Sequence, residues 1–157
     1  MTQIRDSFIA EACLRFGDPY DEHYTGADPC RDENGAVYDS PVCLERGLNT
    51  NGEGFDCMGL VIASLARTLE MPTHNWPVDY RHLEQFDPLA ENRAGEPGDI
   101  VVFYHRLGRP NHMGVLLEPK TIIHATRDSR TVRITKYKTE RAKFIAPEAI
   151  VDRISST

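Results

Sequence analysis

The chain has 157 residues, of which 40% are hydrophobic and 27% charged, the usage of one globular domain; at this size about 68–70% of the unfolded surface is buried on folding. A net charge of −6 argues against a general nucleic-acid binder. No apolar run approaches the roughly 18–20 residues that span a bilayer.

The charge is uneven. Residues 1–119 carry −11 and residues 120–157 carry +5, which suits either a basic face for an anionic polymer or strand edges guarded by Lys and Arg. Acidic and polar residues break up the first 11 positions, so the basic start and apolar stretch of a secretory signal are not there. The expectation is a chain kept in the cytoplasm or exported without a cleaved leader. Four cysteines with no CxxC pair do not make a disulfide scaffold.

In chain order, Ile4, Phe8, Ile9, Ala12, Cys13 and Phe16 form a helical stripe, predicting a first helix over 4–16 that Gly17 and Pro19 end. Cys13 on that stripe reads as a small core residue. Residues 18–54 are acidic and punctuated by Gly, Pro and Asn, and are expected as an irregular insertion, with a hairpin near Asn34-Gly35. Leu60, Val61, Ser64, Leu65, Thr68 and Leu69 predict a second helix over 57–70, with Asp56 as N-cap and Pro72 beyond its end. A second polar loop covers 73–98. Strands are then predicted at 99–104, 112–117, 121–125 and 131–137, with a last strand and a short helix within 143–154. Helices first and consecutive short strands after them predict a single α+β domain over 1–157 with an antiparallel sheet.

Chemistry centres on Cys57. A thiol at a helix start feels the positive end of the helix dipole and unsatisfied backbone N–H groups, which favour thiolate and can hold an oxyanion. The competing reading is a cysteine that merely packs under its helix. His112 opens one predicted strand and His124 lies in the next, so antiparallel pairing can bring the two rings together. His112 could then take the thiol proton while His124 holds its other ring nitrogen, the nucleophile–base–orienter logic of cysteine hydrolases. His105 is a competing base, set apart by a polar loop. Asp99 reads as a cap at the strand entry. His23, Cys30 and Cys43 could make a partial zinc site, but match no standard spacing. Cys30 and Cys43 could otherwise pair with each other. The acidic run lacks a calcium-loop pattern.

Five segments together resemble the NlpC/P60 cysteine peptidases. Asp56-Cys57-Met58-Gly59-Leu60-Val61 is similar to that family's D-C-S-G-L-V, and Pro97-Gly98-Asp99-Ile100-Val101 to its P-G-D-L-V. Asn111-His112-Met113-Gly114-Val115 is similar to its H-V-G-I strand, and Ile123-His124-Ala125 to its I-H-A strand. Gly17-Asp18-Pro19-Tyr20 is similar to its G-x-P-Y helix end. The resemblance implies a papain-like α+β fold with a nucleophile helix packed on a sheet of about five strands. It implies Cys57 as nucleophile, His112 as base and His124 as orienting residue, with Asp56 and Tyr20 on the substrate. The reaction implied is hydrolysis of amide bonds in cell-wall stem peptides, with no metal or organic cofactor. Met58 stands where the family has a Ser that helps read a free amine, and residues 21–54 replace a short segment of the usual cleft wall. A large apolar residue after Cys57, in a chain without a leader, resembles the phage-tail and gene-transfer-particle members. The rivals are the same fold acting on another acyl substrate, and a non-catalytic component that only binds.

Overall fold

The computed structural model describes residues 3–20, 57–70, 94–105, 108, 110–138 and 141–155. Helix α1 spans Gln3–Cys13. Phe8 and Ala12, four apart, are its buried apolar contacts, as the 3.6-residue period requires. It is shorter than the stripe predicts. Gly17 takes φ +86, a left-handed conformation that Gly adopts without a Cβ clash. From there the chain runs beside the sheet: Gly17 N–H donates to Val132 O and Val132 N–H to Asp18 O. Phe16, expected on the stripe, falls beyond the helix and is 58% exposed.

Helix α2, Cys57–Thr68, is buried at every position from Met58 to Ala66. A helix apolar all round belongs in the middle of a core, and α2 lies between α1 and the sheet, packing on α1, β2 and β3.

Five strands follow: β1 Ile100–Tyr104, β2 Pro110–Glu118, β3 Thr121–Thr126, β4 Thr131–Lys136 and β5 Ala142–Ile145. They form one sheet in the order β4-β3-β2-β1-β5, every neighbouring pair antiparallel. A final helix α3, Pro147–Ser155, buries Ile150 in the main core. The α+β architecture implied by the sequence is therefore the one observed.

Side chains alternate between the two faces of a strand. Met113, Val115, Ile123, Ala125 and Val132 join the helices in the main core. Their alternates, Val101, Phe103, Leu116 and Ile122, form a second cluster with Tyr137 and Phe144 on the other face.

One ion cluster ties the elements together. Buried Arg5 on α1 reaches Asp99 Oδ1 at 2.9 Å, Glu148 Oε1 on α3 at 2.7 Å and Pro97 O at 3.0 Å. The other Asp99 oxygen accepts from Glu96 N–H at 2.7 Å. Asp99 thus caps the turn into β1, as its position suggests, and also anchors the only buried arginine among the described residues.

Candidate active site

Cys57 is the first residue of α2, half-buried against the main core, and carries a thiol rather than a disulfide. His112 is the third residue of β2 and pairs with Phe103 of β1. Its ring stacks on Phe103 with centroids 5.8 Å apart and planes at 25°, and Tyr137 meets Phe103 edge-on at 5.1 Å. That aromatic backing limits the orientations open to the imidazole.

His124 on β3 lies across the sheet from His112, and the two rings are hydrogen-bonded, His112 Nε2 to His124 Nδ1 at 2.6 Å. The Val115–Ile123 pairing, carried one residue further, sets Gly114 opposite His124. His112 is therefore the diagonal neighbour of His124, at a separation that long or aromatic side chains can cross. Gly114 is what opens the diagonal: a Cβ there would stand 3.1 Å from His124 Cβ and 2.8 Å from Ile123 O. The glycine two residues after His112 thus has a steric role.

On its far side His124 Nε2 meets Thr135 Oγ1 of β4 at 2.8 Å. Thr135 pairs with Ile122, two residues from His124, so this contact is also diagonal. A line of three polar groups crosses β2, β3 and β4. Sequence reading missed Thr135, because a threonine in an alternating strand reads simply as a good strand former. Only the β3–β4 register reveals its partner.

Burial holds His112 down to about 4, helped by the neighbouring His124 and opposed by Asp128. Burial also lowers His124. Both imidazoles are neutral at pH 7, so one nitrogen in the 2.6 Å contact donates and the other accepts. The Nε2 of His112 is committed to His124, which leaves Nδ1 as the nitrogen able to accept a proton from a substrate or a thiol.

The structure thus brings His112 and His124 together and adds Thr135. These three lie on the Phe103 side of the sheet, whereas α2 packs on the Met113 side. His112 stands near the start of β2. Met58 is 2% exposed and part of the main core, so the side chain after Cys57 fills the interior instead of facing a substrate. Tyr20 is half-buried against the same core, its N–H donating to Arg130 O. His105, the competing base, is exposed after the end of β1. Asp56, His23, Cys30 and Cys43 lie outside the described residues. Among the described residues no group of three or more His, Cys, Asp or Glu side chains is gathered to hold a metal, and no helix is long and apolar enough to cross a membrane.

Comparison with known proteins gives the same architecture. No curated protein matches the sequence. Among solved structures, the P60 domain of antigen MAP1204 from M. avium subspecies paratuberculosis superposes with a TM-score of 0.56 at 18% identity, covering 92% of this chain and 95% of that one. The peptidoglycan hydrolase RipB of Mycobacterium tuberculosis gives 0.57 at 19%, covering 92% of this chain and 65% of RipB. RipD of the same organism, a non-catalytic NlpC/p60 domain protein adapted to peptidoglycan binding, gives 0.54 at 17%, covering 92% and 98%. Identities this low speak for the fold alone. The family model carries the assignment further, because the stretch it matches, residues 46–146, takes in Cys57, both His112 and His124 and all five strands: the chain belongs to the NlpC/P60 family.

Proposed function

We propose that the protein is a cysteine hydrolase cleaving amide bonds in peptidoglycan stem peptides through an acyl-enzyme. The observation that carries this reading is the 2.6 Å His112–His124 hydrogen bond, which engages Nε2 of a neutral imidazole and leaves Nδ1 to act as the base. In the proposed reaction the Cys57 thiol gives its proton to His112 Nδ1 as the sulfur attacks the carbonyl. The Cys57 backbone N–H, at the start of α2, faces the oxyanion. His112 returns the proton to the leaving amine, and the thioester remains. Water, deprotonated by the same nitrogen, then releases the acid and restores the thiol. Asp56 contacts the free amine of the stem peptide, and Tyr20 borders the cleft. The sulfur approaches His112 near the start of β2.

A particle-borne, phage-tail type of role has less behind it. It leans on Met58, and the burial of Met58 makes that residue a packing choice.

The test is digestion of purified peptidoglycan, with new termini identified by mass spectrometry. The wild-type chain is expected to release stem-peptide fragments, and Cys57→Ala none while keeping its fold. Iodoacetamide should modify Cys57 readily at pH 6–7. Cleavage by Cys57→Ala equal to wild type refutes the mechanism. Binding without cleavage, with a thiol that reacts only above pH 8, would instead place the protein beside RipD as a binding domain.

A further inference from the structure

We infer that Thr135 is a positioning residue whose hydroxyl, by accepting from His124 Nε2–H, completes the hydrogen-bond chain that holds His112 in its base-competent tautomer. The inference rests on the hydrolase reading for its consequence, but on hydrogen-bond geometry for its content. A neutral imidazole has one N–H and one bare nitrogen. For His112 to accept a thiol proton, Nδ1 must be bare and Nε2 must carry the hydrogen. That hydrogen points at His124 Nδ1, 2.6 Å away, so His124 Nδ1 must be bare. His124 therefore carries its hydrogen on Nε2, which lies 2.8 Å from Thr135 Oγ1. Thr135 must accept.

The opposite assignment is equally continuous and chemically inert. If Thr135 donated to His124 Nε2, His124 Nδ1–H would donate to His112 Nε2, and His112 would present Nδ1–H to the thiol. Two hydrogen bonds thus lock three groups into one of two states, and only the state with Thr135 as acceptor has a base. In that state the hydroxyl has a further task. Once His112 takes the proton, Thr135 still accepts from His124, whose Nδ1 then faces a cation.

The inference differs from the role assigned to His124, which needs only to touch His112. Thr135 approaches neither the sulfur nor the substrate in the proposed reaction, so it is not itself catalytic.

The experiment uses ¹⁵N-histidine protein and long-range ¹H–¹⁵N correlation spectra at pH 7 for wild type, Thr135→Ser and Thr135→Val. Wild type and Thr135→Ser should show bare, pyridine-type Nδ1 and protonated Nε2 on both His112 and His124. In Thr135→Val, a near-isosteric change with good strand propensity, both rings should move toward averaged tautomers. Rates of Cys57 alkylation and of peptide cleavage should fall roughly 3- to 10-fold, the range of one ordinary hydrogen bond, and Thr135→Ser should recover them. A protonated Nδ1 on His112 in wild type overturns the inference, as does a Thr135→Val spectrum unchanged in both rings. The tautomers are read without turnover. A protein with the expected spectra and no cleavage therefore loses the hydrolase reading and keeps this one.

Discussion

Acid should destabilise this protein through its buried imidazoles, and for His112 the size of the effect follows from its burial. His112 titrates at about 4 in the fold against about 6.5 in an unfolded chain. Above pH 6.5 both states hold it neutral and it contributes no pH dependence. As pH falls from 6.5 toward 4, the unfolded chain takes up a proton that the folded chain refuses, so each step toward acid favours unfolding. Below 4 both are protonated and the loss is complete. At about 1.4 kcal/mol per pH unit, the difference amounts to about 3 kcal/mol, a large part of the 5–15 kcal/mol typical of a domain.

The perturbation is His112→Asn, which cannot take up a proton and keeps a polar group near His124. Urea unfolding at pH 7, 6, 5 and 4 should show wild type losing about 3 kcal/mol more than the variant over that span. Carboxylates that titrate near pH 4 contribute equally to both proteins and cancel in the difference. The His112 ring proton resonances should titrate near 4 in parallel. Equal losses in the two proteins, or a midpoint near 6.5, would show that His112 is not sealed as described. The functional corollary is that the base stays in its proton-accepting form through pH 5–7, so any decline of kcat/KM in that interval must have another origin.

Two further substitutions probe the framework around the pair. Gly114→Ala gains up to about 1 kcal/mol from a stiffer unfolded chain, but its Cβ would press on the Ile123 carbonyl at 2.8 Å. Backbone cannot swing away as a side-chain tip can, so overpacking of about 1–3 kcal/mol should win, with loss of the His112–His124 coupling in the ¹⁵N spectrum; a more stable variant with the coupling intact would refute the steric role of Gly114. Arg5→Met removes the guanidinium from fully buried Asp99 and should cost about 3–5 kcal/mol in urea unfolding. Arg5→Met with Asp99→Asn should recover part of that loss, and a double variant no better than the single would show that the charge pairing is not the source.

What the sequence made legible was what repeats locally. Runs such as Ile100-Val101-Val102-Phe103 declare strands through β-branched and aromatic content, and α2 declares itself through period and cap. The pairing of His112 with His124 was legible because one short turn joins their strands. Thr135 was not, since the alternation of Thr131–Lys136 sets which face it shares, whereas its partner depends on how β4 registers on β3. Arg5 was hidden for a related reason. A charged residue on an apolar stripe looks like a solvated break until Asp99 and Glu148, 94 and 143 residues on, are folded around it. Met58 is the reverse case: where the family resemblance has a Ser that helps read a free amine, this chain has a side chain claimed by the core, because α2 is buried at every position from Met58 to Ala66.

The site is consequently governed by a turn that never touches it. Between β2 and β3 only Pro119 and Lys120 intervene, and Lys120 takes φ +66, a left-handed conformation that costs a non-glycine residue roughly 1–2 kcal/mol. Lys120 O accepts from Tyr137 N–H, and its ammonium lies over the Tyr137 ring at 5.1 Å, so the strained residue is held by the residue that follows β4. Shifting one strand's register by a residue moves all its side chains to the opposite face. A slip of β3 alone would carry His124 into the main core and Ile123 onto the Phe103 face, exchanging a hydrogen-bonded imidazole for a buried unpaired one. The cost of that exchange exceeds the strain at Lys120 several-fold if each misplaced polar group loses about 1–3 kcal/mol and each misplaced aliphatic side chain a further 1.5–3 kcal/mol. The same alternation that builds the hydrophobic core therefore also fixes which face the two histidines and Thr135 share.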